Sequence, residues 1–120
     1  MTKKDTGKLG EKLAGEFLGR NGYDILDTNY RCPEGEIDII ARHQNTLVFI
    51  EVRTKTSRLF GTPEESITPL KAARLKTLAA RYGQSHTGLP DTWRIDVVAI
   101  EMNKNGHASR IEIIENAVSE

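Results

Sequence analysis

The sequence predicts an α/β fold, in which a mixed β-sheet packs against two helices within a single domain of residues 1–120. Two segments repeat apolar residues with the period of a helix, and five shorter segments rich in Ile and Val have the pattern of strands. Their order along the chain is α-β-β-β-α-β-β. A meander, a helical crossover and two further strands are expected to form one sheet with helices packed on it.

The first helix is predicted over residues 6–22, after a polar segment, residues 1–5, that is expected to be frayed. Apolar residues recur along one side of this helix, and a glycine ends it. Glu11 and Glu16 fall at the two edges of the apolar stripe. Either carboxylate could face a cleft, and the pattern alone does not choose between them.

Three strands follow and are predicted to form an antiparallel meander. The first covers residues 23–30, and a turn that contains Pro33 and Gly35 leads into the second. Two apolar runs, residues 35–41 and 47–55, are joined by a short polar break. They are rich in Ile and Val and therefore indicate a β-hairpin.

The second half of the chain begins with a loop whose Phe60 is expected either to grip a substrate or to cover the end of the sheet. Thr68 and Pro69 open the second helix, with Thr as the N-cap and Pro at the first helical position. This helix is expected to end at about Tyr82. The last strands are predicted over residues 93–100 and 108–114, followed by a frayed end, residues 115–120.

The composition is that of a globular protein, with 38% hydrophobic and 28% charged residues. No run approaches the roughly twenty apolar residues of a membrane span, and the N-terminus lacks the apolar core of a signal peptide. The protein is therefore expected in the cytoplasm, without a membrane partner. Its single Cys32 excludes an internal disulfide.

The net charge is zero, which by itself argues against a nucleic-acid partner. The charges are unevenly distributed, however, because residues 53–86 contain seven Lys or Arg and only two acidic residues. This segment predicts a basic patch, although a solvated charged helix face is the alternative. The residues expected to contact a phosphate backbone are Arg58, Lys71, Arg74 and Arg81.

Two carboxylates interrupt the apolar hairpin, Asp38 in its first strand and Glu51 in its second. A carboxylate at such a position is costly to bury unless it is paired, protonated or bound to a cation. On adjacent strands the two acids can hold Mg²⁺ or Mn²⁺ through oxygen ligands, and Arg53 beside them can neutralise a phosphodiester. The alternative is an internal salt-bridge ladder, in which Arg53 or Lys55 neutralises both acids.

Three short segments carry a resemblance: GEIDIIA at residues 35–41, VFIEVR at 48–53 and RIDVV at 94–98. Together they resemble the YraN family of uncharacterised bacterial proteins, from about Gly7 to the end of the chain. Asp38 followed by Glu51-Val52-Arg53 is also similar to the D…ExK signature of the restriction-endonuclease-like nuclease superfamily, which includes archaeal Holliday-junction resolvases. The resemblance implies a restriction-endonuclease-like core and a nucleic-acid-binding, metal-dependent nuclease.

The resemblance also implies roles for individual residues. The superfamily's additional acid on the first helix falls on Glu11, and the backbone carbonyl of Val52 is implied as a further metal ligand. Arg53 stands where the superfamily usually has lysine, and Arg cannot act as a general base because it stays protonated. Lys55, on the same face, could take over that role. Arg31 belongs to an N-x-R pattern that precedes GEID in the YraN family and is implied as a phosphate contact.

The predicted function is therefore that of an Mg²⁺- or Mn²⁺-dependent endonuclease acting on nucleic acid. DNA is the favoured substrate, branched DNA included, and the protein could pair as a homodimer to cut two strands. The metal site is predicted at Asp38, Glu51 and Val52. Two competing hypotheses are a non-catalytic nucleic-acid-binding module on the same fold and a protein-interaction domain whose acidic face binds a basic partner.

Overall fold

The computed structural model describes residues 1–118, so the last two residues of the predicted frayed end, 115–120, lie outside the described range. The helices are α1 (Lys3–Arg20) and α2 (Pro69–Ser85), and the strands are β1 (Asp24–Cys32), β2 (Gly35–His43), β3 (Thr46–Lys55), β4 (Thr92–Met102) and β5 (Ala108–Ile114). A short 3₁₀ turn, Glu64–Ser66, precedes α2. The predicted order of helices and strands is confirmed.

Within residues 1–118, the five strands form one sheet in the order β1-β2-β3-β4-β5. β1, β2 and β3 are an antiparallel meander, β4 runs parallel to β3, and β5 is antiparallel to β4. A parallel pair cannot be joined by a tight turn, so α2 forms part of the crossover from β3 to β4. The predicted mixed sheet with two helices is thus confirmed as an α+β fold.

The sheet buries an apolar cluster on each of its faces. One cluster packs against α1 and includes Leu18 and Ile39. The other packs against α2 and includes Phe49 and Leu75. The central strands therefore need apolar residues on both sides, which explains their nearly continuous runs of Ile and Val.

Helix α1 contacts β3 closely at Gly10. A Cβ atom at this position would lie 2.1 Å from the side-chain oxygen of Thr54, so the contact admits glycine but no larger residue without movement. The close approach brings the next residue, Glu11, to the carboxyl end of β3, where the predicted hairpin acids lie.

The helices differ from their predicted bounds at three ends, one of which is the end of α1, at Arg20 and not at Gly22. α1 begins earlier, because Thr2 and Asp5 form a capping box in which each backbone N–H donates to the side chain of the other residue at 3.1 Å. Residues 3–5, expected to be frayed, form its first turn. α2 continues beyond Tyr82 because Gly83 keeps a helical backbone. Neither helix in residues 1–118 combines the length and the apolar character that crossing a bilayer requires.

Candidate active site

Strands β2 and β3 separate at the end of the hairpin that carries the predicted acids. Their residue-by-residue pairing extends to Ile39 and Ile50. Beyond this pair a side chain continues the contact, since Oδ2 of Asp38 accepts a hydrogen bond from the backbone N–H of Val52 at 2.8 Å. The result is a fork between the two strands, into which the carboxylates of Asp38 and Glu51 project.

Glu51 is buried in this fork, with 3% of its surface exposed, and two cations compensate its charge. Nη2 of Arg53 lies 3.2 Å from Oε2 of Glu51, and Nζ of Lys71, in the first turn of α2, lies 3.3 Å from the same oxygen. An internal salt bridge is the predicted alternative to a metal, and for Arg53 and Glu51 this salt bridge is present. Lys55 pairs differently, because its ammonium donates to the carbonyl oxygen of Phe60 at 3.2 Å.

Asp38 lacks such compensation, since no Lys or Arg among residues 1–118 forms an ion pair with it. Burial, together with the negative charges of Glu51 and Glu11, raises the pKa of Asp38 to about 8, although the hydrogen bond from Val52 opposes the rise. Without a bound cation, Asp38 is therefore largely protonated at neutral pH.

Glu11 is the acid of α1 that faces the site, whereas Glu16 is exposed to solvent. The amide of Asn29 holds it there: Nδ2 donates to Oε1 of Glu11 at 3.0 Å and to Oε1 of Glu36 at 2.8 Å. Asn29 has a left-handed backbone, with φ of 51°, which asparagine tolerates better than most residues. The N-x-R pattern indicated this segment for its arginine, whereas the structure connects its asparagine to the site through Glu11.

The carboxylates of the fork, with Glu11 and Glu36, line an open cleft of about 1000 Å³ between α1, the end of β3 and the start of α2. The predicted residues that line it are Glu11, Asp38, Glu51, Val52, Arg53, Lys55 and Lys71. Two lysines that the sequence patterns do not indicate, Lys3 and Lys104, also line the cleft. They come from the start of α1 and from the turn between β4 and β5, so only the fold brings them to this place.

Four predicted phosphate contacts lie outside the described residues that line the cleft: Arg31, Arg58, Arg74 and Arg81. Arg58 forms an ion pair with Glu101. Nη2 of Arg81 lies 2.6 Å from Oε2 of Glu34. Nε of Arg31 lies 3.5 Å from Oε1 of Glu36, and both Arg31 and Arg74 are exposed. A contact of these four residues with nucleic acid therefore stays a prediction.

The fork has the donors that a hard divalent cation requires. In residues 1–118 no three Asp, Glu, His or Cys side chains converge to hold a metal ion by themselves. Mg²⁺, however, commonly binds through one or two carboxylates, with water and a substrate phosphate completing its shell. Asp38 and Glu51 are such a pair. Nε of Arg53 is buried and has no hydrogen-bond acceptor within the described part of the chain, which favours an additional anionic ligand beside them.

Comparison with known proteins finds relatives along nearly the whole chain. The model of the family described as Uncharacterised protein family UPF0102 matches residues 10–100. A UPF0102 protein of Moorella thermoacetica is 44% identical over 117 residues, which cover 98% of each chain. A UPF0102 protein of Dehalococcoides mccartyi is 47% identical over 98% of this chain and 96% of its own. A third, of Roseiflexus castenholzii, is 48% identical over 100% of this chain and 99% of its own.

Proposed function

The chain belongs to the UPF0102 family, the YraN-like proteins, and for this member we propose metal-dependent hydrolysis of phosphodiester bonds in nucleic acid. DNA, branched DNA included, is the favoured substrate, and the cytoplasm is the proposed location. The proposal places the fold among restriction-endonuclease-like nucleases. Two copies of the chain would pair where both strands of a substrate are cut.

The observation that carries this proposal is the charge of the fork. Three carboxylates interact there, from Glu11, Asp38 and Glu51, against the two cations Arg53 and Lys71. A divalent cation together with the single negative charge of a phosphodiester adds one net positive charge. Once Asp38 has released its proton, these five groups carry one net negative charge. The cation and the phosphodiester together offset this charge, whereas the cation alone overcompensates it and the phosphate alone increases it.

The residues that would hold the cation are Asp38 and Glu51, with the carbonyl oxygen of Val52 as a further proposed ligand and Glu11 beside them. Bound Mg²⁺ supplies Lewis-acid polarisation of the phosphate and lowers the pKa of bound water. Asp38 is expected to release its proton when the cation binds, because a nearby positive charge favours the carboxylate form.

The proposed task of Arg53 is to neutralise the scissile phosphate. Its guanidinium already binds Glu51 through Nη2, and the side chain lines the cleft with 32% of its surface exposed, so its other N–H groups can donate to the phosphate. Lys71 contributes a second charge from α2. Because Arg stays protonated, Lys55, which also lines the cleft, is the candidate for the lysine role of the superfamily motif.

A non-catalytic nucleic-acid-binding module is the second candidate function. It is favoured by one observation, the two ion pairs that already compensate Glu51 without a metal. In that case the lysines of the cleft, Lys3 and Lys104 among them, would contact the phosphate backbone, and binding would need no divalent cation.

The test is cleavage of end-labelled branched and linear DNA in Mg²⁺ and in Mn²⁺, with binding measured separately in EDTA. The wild-type protein is expected to cleave only with a metal. Asp38→Asn is expected to lower the cleavage rate by at least about 100-fold, a few kcal/mol of transition-state stabilisation, while it binds DNA as well as or better than wild type. Asp91→Asn, at an exposed acid outside the cleft, is the matched control and should cleave normally.

Other outcomes separate the candidate functions. Salt-sensitive binding without cleavage in either metal supports the binding module. No salt-sensitive binding to any nucleic acid contradicts both and favours the protein-interaction domain. Loss of folding in Asp38→Asn would instead assign the aspartate a structural role.

A further inference from the structure

Two large apolar side chains stand in solvent beside the cleft, in the loop between β3 and α2. Leu59 is 80% exposed and Phe60 is 85% exposed. The expectation that Phe60 covers the end of the sheet is therefore wrong. Burying a phenylalanine side chain stabilises a protein by about 2 kcal/mol, and Phe60, exposed at the rim of the candidate active site, does not contribute this stabilisation.

The loop that presents Phe60 is fixed by hydrogen bonds. The carbonyl oxygen of Phe60 accepts from Nζ of Lys55 at 3.2 Å, and the next residue, Gly61, donates its N–H to the carbonyl oxygen of Arg58 at 3.0 Å. Gly61 has φ of +96°, which closes this turn in a conformation that other residues rarely adopt. Arg58 is in turn bound by Glu101 of β4. The backbone that carries the ring is thus connected by hydrogen bonds to β3 and, through Arg58, to β4.

The surroundings of the ring indicate what it contacts. Phe60 lines the same cleft as Arg53, Lys55 and Lys71, so a nucleic acid whose phosphate is bound in the fork can extend a nucleotide toward the ring. An aromatic ring offers a flat face on which a nucleobase can stack, and such stacking does not depend on base identity. A protein partner with an apolar surface would have to bring acidic groups into the cleft as well, whereas one nucleotide supplies both the phosphate and the flat apolar face.

We propose that Phe60 is a stacking site for an unpaired nucleobase, and that the substrates of this protein carry an unpaired or unstacked nucleotide next to the phosphate bound in the fork. In the interior of a continuous duplex both faces of every base are covered by neighbouring bases, so the ring finds no partner there. At a bulge, a branch point or a single strand, one base face is available. This proposal rests on the function proposed above, because it requires nucleic acid in the cleft.

The experiment measures DNA binding by fluorescence anisotropy in EDTA and again in Ca²⁺, a hard cation that takes the same oxygen ligands, and a gel of the labelled DNA verifies that it stays uncleaved. Two end-labelled duplexes of equal length are compared, one continuous and one with a single bulged 2-aminopurine. Wild type is expected to bind the bulged duplex more tightly and to quench the 2-aminopurine, because stacking quenches this base. Phe60→Ala is expected to lose about 10-fold in affinity for the bulged duplex, within the range of roughly 5- to 150-fold that corresponds to one stacked base. Its affinity for the continuous duplex should not change.

Two variants in the same loop control for apolar contact alone. Leu59→Ala removes an equally exposed side chain that has no ring, and it should bind like wild type. Phe60→Leu keeps an apolar side chain and should lose affinity for the bulged duplex as Phe60→Ala does. Phe60→Trp keeps the flat face and should retain the affinity and the quenching.

Three results would overturn the stacking site. Equal effects of Phe60→Ala on both duplexes would make the ring a general contact, and no effect on either would leave it without a role in DNA binding. In both cases wild-type binding would still support nucleic acid as the ligand of the cleft. If wild type binds neither duplex, nor single-stranded or branched DNA and RNA, the proposed function fails and the stacking site fails with it.

Discussion

Asp38→Asn is expected to stabilise the metal-free protein at neutral and alkaline pH, although the residue is central to the proposed activity. The carboxylate is half-buried beside Glu51 and Glu11 and has no cationic partner among the described residues. Asparagine removes the charge, and its carbonyl oxygen can still accept the hydrogen bond from Val52. A stabilising substitution at this position would show that the acid is retained for function at a cost in stability.

The size of the effect follows from the raised pKa. The pKa of Asp38 is about 8 in the folded protein, against an ordinary value of 3.8. At about 1.4 kcal/mol for each pH unit between the two values, ionising Asp38 in the folded state costs at most about 6 kcal/mol. Local relaxation and water entering the open cleft reduce this cost, and we expect about 1–3 kcal/mol. For a domain of this size that corresponds to roughly 5–10 °C in Tm.

Because folding raises the pKa of Asp38, the stability of the wild-type protein changes with pH between the unfolded and the folded pKa values. Between the two pKa values the folded wild type holds a proton on Asp38 that the unfolded chain has released. Its free energy of unfolding therefore falls as pH rises from about 4 to about 8, and the loss is complete above pH 8. Below pH 4 the residue is protonated in both states, so wild type and variant should be equally stable there.

Urea unfolding of both proteins at pH 4, 6 and 8 in EDTA measures the difference directly. Asp91→Asn, at an exposed acid, should follow wild type at every pH. Equal stability of wild type and Asp38→Asn at pH 8, or a difference that does not change with pH, would refute the argument. Added Mg²⁺ should restore wild type by about 2.7 kcal/mol at a concentration 100 times its Kd and should leave Asp38→Asn unchanged.

Two further substitutions test how the fold positions the site. Gly10→Ala should destabilise the protein by about 1–3 kcal/mol, because the new Cβ would lie 2.1 Å from the side-chain oxygen of Thr54. Gly15→Ala, at a helical position with open space around it, should instead stabilise the protein by about 0.4–1 kcal/mol. Thermal unfolding of both variants tests the contact between α1 and β3. Asp96→Ala should cost about 3–5 kcal/mol in urea unfolding, because the aspartate is fully buried and its loss leaves the largely buried Arg94 with only the exposed Glu115, at 3.8 Å, as a carboxylate partner. Asp91→Ala, at an exposed acid, should stay within about 0.5 kcal/mol of wild type.

Local patterns in the sequence determined the elements of this fold. Hydrophobic periodicity and the Thr68-Pro69 start of α2 depend on neighbours within a few residues, so they can be interpreted without the tertiary structure. The earlier start of α1 was also readable, since Thr2 and Asp5 have the spacing of a capping box. Gly83 was misleading, because a glycine ends a helix only where the chain adopts a left-handed conformation there.

The acids of the fork were also predicted from the sequence, because a charge within an apolar strand requires compensation wherever that strand lies. What remained open at that stage was the partner of each charge. The structure gives Glu51 both Arg53 and Lys71, and it leaves Asp38 with a backbone N–H. The choice between Glu11 and Glu16 was likewise decided by the contact of α1 with β3.

Only the tertiary structure decided which cations are available in the cleft and which are not. Electrostatic interactions depend on the distance between the charges in space, and the fold brings together charges that are far apart in the chain. Arg58 and Arg81 belong to the basic segment, yet acids from β4 and from the turn before β2 pair with them. Lys3 and Lys104 lie outside that segment, yet they line the cleft, because the sheet brings the start of α1 and the turn after β4 to the end of β3.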